Sequence, residues 1–115
     1  MPHDPGLKPD GLAGAQATKA VGLVNYQDGA VVSRELVKKP SGTVTVFAFD
    51  QGQGLSEHTA RFNALLQVLE GEAMVVISGH HHCLRAGGLI LIPANEPHSV
   101  KAIKRFKMIL TMLRS

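Results

Sequence analysis

The chain has 115 residues, 44% of them hydrophobic, and a formal net charge of +3. That is enough for one hydrophobic core and too little for two, so a single domain is expected. A lone cysteine, Cys83, excludes an internal disulfide framework, and no apolar run approaches the roughly 20 residues of a membrane helix.

The opening MPHDPGLKPDGLAGAQ lacks the apolar stretch of a secretory signal, so a soluble cytoplasmic protein with no membrane partner is the expectation. Lys101, Lys104, Arg105 and Lys107 form the densest basic cluster. It lies beside apolar residues and reads as a solvated strand edge, so no nucleic-acid partner is expected.

Residues 1–20 read as an N-terminal arm and 21–115 as the domain proper. Pro2, Pro5 and Pro9 bar a regular helix from the arm, which is expected to be loose unless something docks it. A short helical turn around residues 12–20 is the alternative. From Val21 onward, short runs rich in Val, Ile, Leu, Phe and Thr recur between turn signals. VVSREL and TVTVFAF alternate in the strand manner, with Pro40-Ser41-Gly42 as the hairpin turn between them.

ALLQVL, AMVVIS, HCL and LILIP follow, separated by Glu70-Gly71-Glu72, Gly79 and Ala86-Gly87-Gly88. Ser99–Ile103 and Phe106–Leu113 close the series. In the last run Phe106, Met108, Leu110 and Met112 share one face, while Ile109 and Leu113 keep the other apolar. It reads as a strand covered on both sides. This rhythm predicts an all-β sandwich or barrel.

Two histidines stand at strand or loop junctions. His58 follows the glycine-rich bend Gly52-Gln53-Gly54-Leu55, and His98 follows LILIPANEP. The segment GQGLSEHTARFNALLQVLEGE resembles the first cupin motif, and AGGLILIPANEPHSV resembles the second. Gly71 aligns His58 with the first motif's leading histidine, and His98 with the histidine of the second. Gly88, Pro93 and Asn95 fall on the second motif's punctuation. The resemblance, to small single-domain RmlC-like cupins, covers roughly residues 30–113. It implies an antiparallel double-stranded β-helix, the cupin jelly-roll barrel, with a ligand site at its mouth. It also implies a divalent metal ion (Zn, Ni, Fe or Mn) among three histidines and a carboxylate.

Here Ala60 and Ala64 stand where the second histidine and the glutamate would be. Gln67 is the one polar residue of ALLQVL and the candidate replacement ligand beside His58 and His98. Strand parity places it opposite Leu66 unless a bulge intervenes. Two readings stay open: a metal on His58 and His98, or two barrel-mouth histidines with local hydrogen bonds. Phe47, Phe49, Phe62, Leu66 and Val76 are the expected pocket lining around a small organic ligand; each is also an ordinary core residue.

His80, His81 and His82 precede Cys83 but alternate in direction along a strand, so they cannot converge on one ion without an irregular loop; an exposed turn with adventitious metal affinity is expected. Arg34 and Arg61 are candidates to face an anion, and Glu57 and Glu96 flank the two histidines. Three functions follow from these readings: a cupin enzyme, a non-catalytic ligand-binding barrel, or a structural subunit. A homodimer is expected, because outward apolar faces on ALLQVL and MILTML want a partner.

Overall fold

The structure, a computed structural model, describes residues 7, 8 and 11–114. Two short strands, β1 (Leu7–Lys8) and β2 (Gly11–Leu12), pair antiparallel ahead of a 3-10 turn at Ala20–Gly22. Nine further strands follow: β3 (Val31–Lys39), β4 (Gly42–Phe49), β5 (Gly54–His58), β6 (Asn63–Glu70), β7 (Glu72–Ile77), β8 (His80–Arg85), β9 (Leu89–Ile92), β10 (His98–Ala102) and β11 (Phe106–Leu113). They form two antiparallel sheets, ordered β3-β4-β11-β6-β9 and β5-β10-β7-β8. No helix among the described residues is long and apolar enough to cross a membrane.

The two sheets close on a core set by strand alternation. On β6, Ala64, Leu66 and Val68 are buried while Asn63, Leu65 and Gln67 are exposed. On β7, Ala73, Val75 and Ile77 are buried, and on β10 His98, Val100 and Ala102. Phe49 and Phe106 stack at the closed end, centroids 4.4 Å apart and rings 8° from parallel. A near-parallel aromatic pair of this kind adds about 0.5–1.5 kcal/mol beyond the area it buries. The β6–β7 corner needs Gly71: its φ is +83°, and a Cβ there would collide with the Arg105 carbonyl.

A second core lies on the outer face of the five-stranded sheet. Leu23, Val24, Leu36, Val46 and Ala48 are buried there, with Leu12, Tyr26, Val32 and Ile109 against them. Phe106, Met108 and Leu110 belong to the inner core and Ile109 to the outer one, so β11 is apolar on both faces for a packing reason. The looseness expected of the arm changes at Gly11, which is buried; Leu12 packs on the outer core. Residues 1–6, 9 and 10 lie outside the described residues.

In the basic cluster Lys101, Lys104 and Arg105 are exposed as expected of a solvated edge, and Lys107 departs from it. Lys107 is 8% exposed. Its ammonium donates to the Val21 carbonyl at 2.6 Å and lies 5.0 Å from the Tyr26 ring centroid. Tyr26 in turn donates to Glu70 at 2.6 Å. Arg105 donates to Asp28 at 2.6 Å and to Asp50 at 2.7 Å. These groups hold residues 21–28 onto the sheet.

Candidate functional site

The glycine-rich bend before His58 is shorter than the sequence suggests, because Gly54–His58 is itself a strand, β5. It pairs with β10, His98 opposite His58 and Val100 opposite Leu55, with an irregularity between the two pairs. Three steps of β5 therefore match two steps of β10, which is a bulge. Its consequence is orientation. Leu55 packs against the inner core, so in a regular strand His58 would face outward. The extra residue returns it to the inner side, opposite buried His98.

Both histidines are fixed from behind. The ring centroids lie 4.3 Å apart with planes 59° from parallel. Nδ1 of His58 is 2.8 Å from the Ser56 carbonyl oxygen, and Nδ1 of His98 is 3.1 Å from that of Glu96. A carbonyl only accepts, so each Nδ1 carries the hydrogen and donates. In the neutral ring, Nε2 then offers its lone pair. The loop before His98 is tied down as well. The Asn95 N–H donates to the Ala60 carbonyl at 2.7 Å, and the Ser78 N–H to the Pro97 carbonyl at 2.8 Å. The Glu96 carboxylate accepts from the Ser78 hydroxyl at 3.1 Å, so that side chain braces the β7–β8 turn, while its backbone oxygen braces His98. Glu57 is exposed.

The remaining sequence candidates do not gather at this pair. Gln67 is exposed, on the opposite face of β6 from Ala64, Leu66 and Val68. Val76 alternates with buried Val75 and Ile77 and so faces the outer side of its sheet. Phe49 and Leu66 are fully buried in the packed core. Phe47 is partly buried against Phe49, centroids 5.8 Å apart. Phe62 lines a separate cavity at the end of the five-stranded sheet.

A resident metal does not fit this donor set. Zinc sites use at least three protein ligands. Here two imidazoles face each other, Gln67 is turned away, and Ala64, buried on the inner face of β6, has no donor atom. Among the described residues no three His, Cys, Asp or Glu side chains are grouped to hold an ion. The register also separates the histidine tract: His80 pairs with Ile77 and His82 with Val75, while His81 pairs with Val76 on the other face.

Two antiparallel sheets closed on one core, with a braced polar pair at one end, define a small cupin-type β-barrel. The chain belongs to the AraC-like ligand binding domain family, which matches it over residues 41–112, a span that includes both histidines. No curated protein matches it. Among solved structures it is similar to a conserved protein of unknown function from Streptococcus pyogenes, 27% identical over 90% of this chain and 91% of that one, with a TM-score of 0.85. A cupin 2 conserved barrel domain protein from Leptotrichia buccalis is 36% identical over 82% of this chain, with a TM-score of 0.79; the chain spans 46% of that protein. A cupin superfamily protein from Desulfitobacterium hafniense has the same fold, with a TM-score of 0.83 at 24% identity, over 95% and 98% of the two chains.

Proposed function

We propose that the barrel mouth binds a small organic ligand directly through His58 and His98, without a metal. The observation that carries this reading is the imidazole pair itself. Both Nδ1 atoms are used by backbone carbonyls, and both Nε2 atoms are left for a ligand. A few fixed polar groups that orient a ligand are a regular part of a small-molecule site. Family membership supports it, since the matching family is described by ligand binding. The chain is read as a cytoplasmic homodimer with no nucleic-acid partner: Arg85, Arg105 and Lys107 are engaged within the fold.

The test uses protein purified without a tag, because His80, His81 and His82 would retain nickel from a column. Elemental analysis is expected to find no stoichiometric metal. A library of small organic acids, amides and alcohols is then screened by the imidazole 15N resonances. A ligand should shift both Nε2 signals, and His58→Ala and His98→Ala should each weaken it by tenfold or more. One equivalent of a divalent metal lost on either substitution would overturn the metal-free reading. Binding that ignores both substitutions would overturn the site.

A further inference from the structure

A second site lies at the end of the five-stranded sheet, lined in part by the loops that follow His58 and precede His98 but by neither histidine. We propose that the cavity between Arg61 and Arg114 binds a small organic anion, a carboxylate on a planar apolar body. The cavity is about 500 Å³ and its lining includes Ser41, Arg61, Phe62, Asn63, Ala94 and Arg114, with Leu113 beside them. That volume falls within the range of about 300–1,000 Å³ typical of small-molecule sites.

Its chemistry is one-signed. Two arginines border it, and among the described residues no Asp or Glu does. Arg85 pairs with Glu72, and Arg105 with Asp28 and Asp50, whereas Arg34, on β3 away from this cavity, shows no acidic partner among the described residues. Among the described residues no acidic side chain pairs with Arg61 or Arg114. The Arg114 guanidinium instead lies 5.7 Å from the Phe62 ring centroid, and such a contact leaves its N–H edge available to an anion. The Asn63 Oδ1 accepts from the Ala94 N–H at 2.8 Å. The amide NH2, a donor pair, is therefore what Asn63 has left to offer. Ser41 adds a hydroxyl. Donors and cations thus stand around an aromatic ring and Leu113.

The arrangement is built by the fold. The Arg114 N–H donates to the Ser41 carbonyl at 2.8 Å, tying the end of β11 to the β3–β4 turn. Gly42 permits that approach, since a Cβ there would overlap the Met112 carbonyl. Guanidinium groups recognise planar carboxylates through paired hydrogen bonds, and phosphates by the same fork. The aromatic wall favours the carboxylate on a ring.

Titration calorimetry with benzoate, inorganic phosphate and benzyl alcohol tests this on the full chain. Saturable benzoate binding, with benzyl alcohol failing to bind, is expected. Arg61→Gln and Arg114→Gln should each weaken benzoate about tenfold or more, as loss of a charge-assisted contact does. Both side chains are exposed, and an unchanged melting curve verifies the fold of each variant. Phosphate binding that exceeds benzoate and needs both arginines would support the anion site and assign it to a phosphate-bearing ligand. Absence of saturable binding by either anion would overturn the proposal. So would binding that survives both arginine changes, or that is lost in His58→Ala instead. The last outcome separates this cavity from the histidine pair, whose own failure leaves this result untouched.

Discussion

Asp50 shows how single contacts tune a surface group. Its carboxylate accepts from Arg105, then from the backbone N–H groups of Gly29 and Gln51. These hold its pKa well below the ordinary carboxylate range, at about 2. A depressed acid stabilises the fold above the ordinary range, and that contribution fades as pH falls through about 2. Arg105→Gln removes the largest of these contacts. Carboxyl 13C titration should then show the Asp50 midpoint rising toward the ordinary value, and acid unfolding should begin at higher pH. An unmoved midpoint would place the cause in the backbone donors alone. Tyr26 behaves in the opposite sense. Burial, then the bond to Glu70 and the Glu70 charge, raise its phenol. Its contribution is therefore present below the ordinary tyrosine range and lost as the solution becomes strongly alkaline.

The two faces of β6 give a second residue-scale contrast. Leu66 is fully buried, while its neighbour Gln67 is exposed. Leu66→Ala should cost about 2–5 kcal/mol in urea unfolding, because truncation leaves a cavity in a packed core. Gln67→Ala should stay within about 0.5 kcal/mol, as exposed substitutions do. It should also leave the metal content unchanged. A large loss at Gln67 would contradict the register assigned to this strand.

At the scale of elements, the β5 bulge decides whether the histidine pair exists. Two steps separate Val100 from His98 and three separate Leu55 from His58. Deleting Glu57 alone should therefore keep the imidazoles face to face, because a regular strand repeats its direction every two residues. Deleting Ser56 and Glu57 together should turn His58 outward and abolish ring-to-ring nuclear Overhauser contacts with His98. Loss of those contacts in the single deletion would refute the bulge.

The strand rhythm was legible because turn residues interrupt apolar runs at nearly every corner, as at Pro40-Ser41-Gly42 and Glu70-Gly71-Glu72. The parity of β6 was legible too, since a single polar residue, Gln67, breaks its apolar series. β7 offered no such mark. Met74 and Val76 are apolar on its outer side and Val75 and Ile77 on its inner side, so Val76 could be put on either face. β5 was hidden by its glycines, and a bulge has no composition of its own. Lys107 was illegible for a different reason. The groups that make its burial tolerable, the Val21 carbonyl and the Tyr26 ring, lie far away in sequence.

At the scale of the whole molecule, the outer face of the five-stranded sheet is only half covered. Residues 12–26 pack on it around Val46 and Ala48. At their border, the register aligns Leu91, Leu65, Thr111, Val44 and Val37 in one row across all five strands, with Val44 against the outer core. Leu65, Leu89 and Leu91 are 36%, 58% and 51% exposed. Leucines grouped on neighbouring strands are unusual on a monomer's surface and mark an association face. A second copy is the occupant that suits it best: a row with no charged residue can lie against its own two-fold image without setting like charges together. A stable pair needs about 800 Å² from each partner, roughly 20 residues, so such an interface would extend beyond this row to neighbouring loops. Sedimentation equilibrium at micromolar concentration should give a dimer, and Leu65→Lys with Leu91→Lys should give a folded monomer, because each charge would have to be desolvated in the interface. A monomeric parent chain would sink the idea. A dimer that survives both lysines would move the interface to another face.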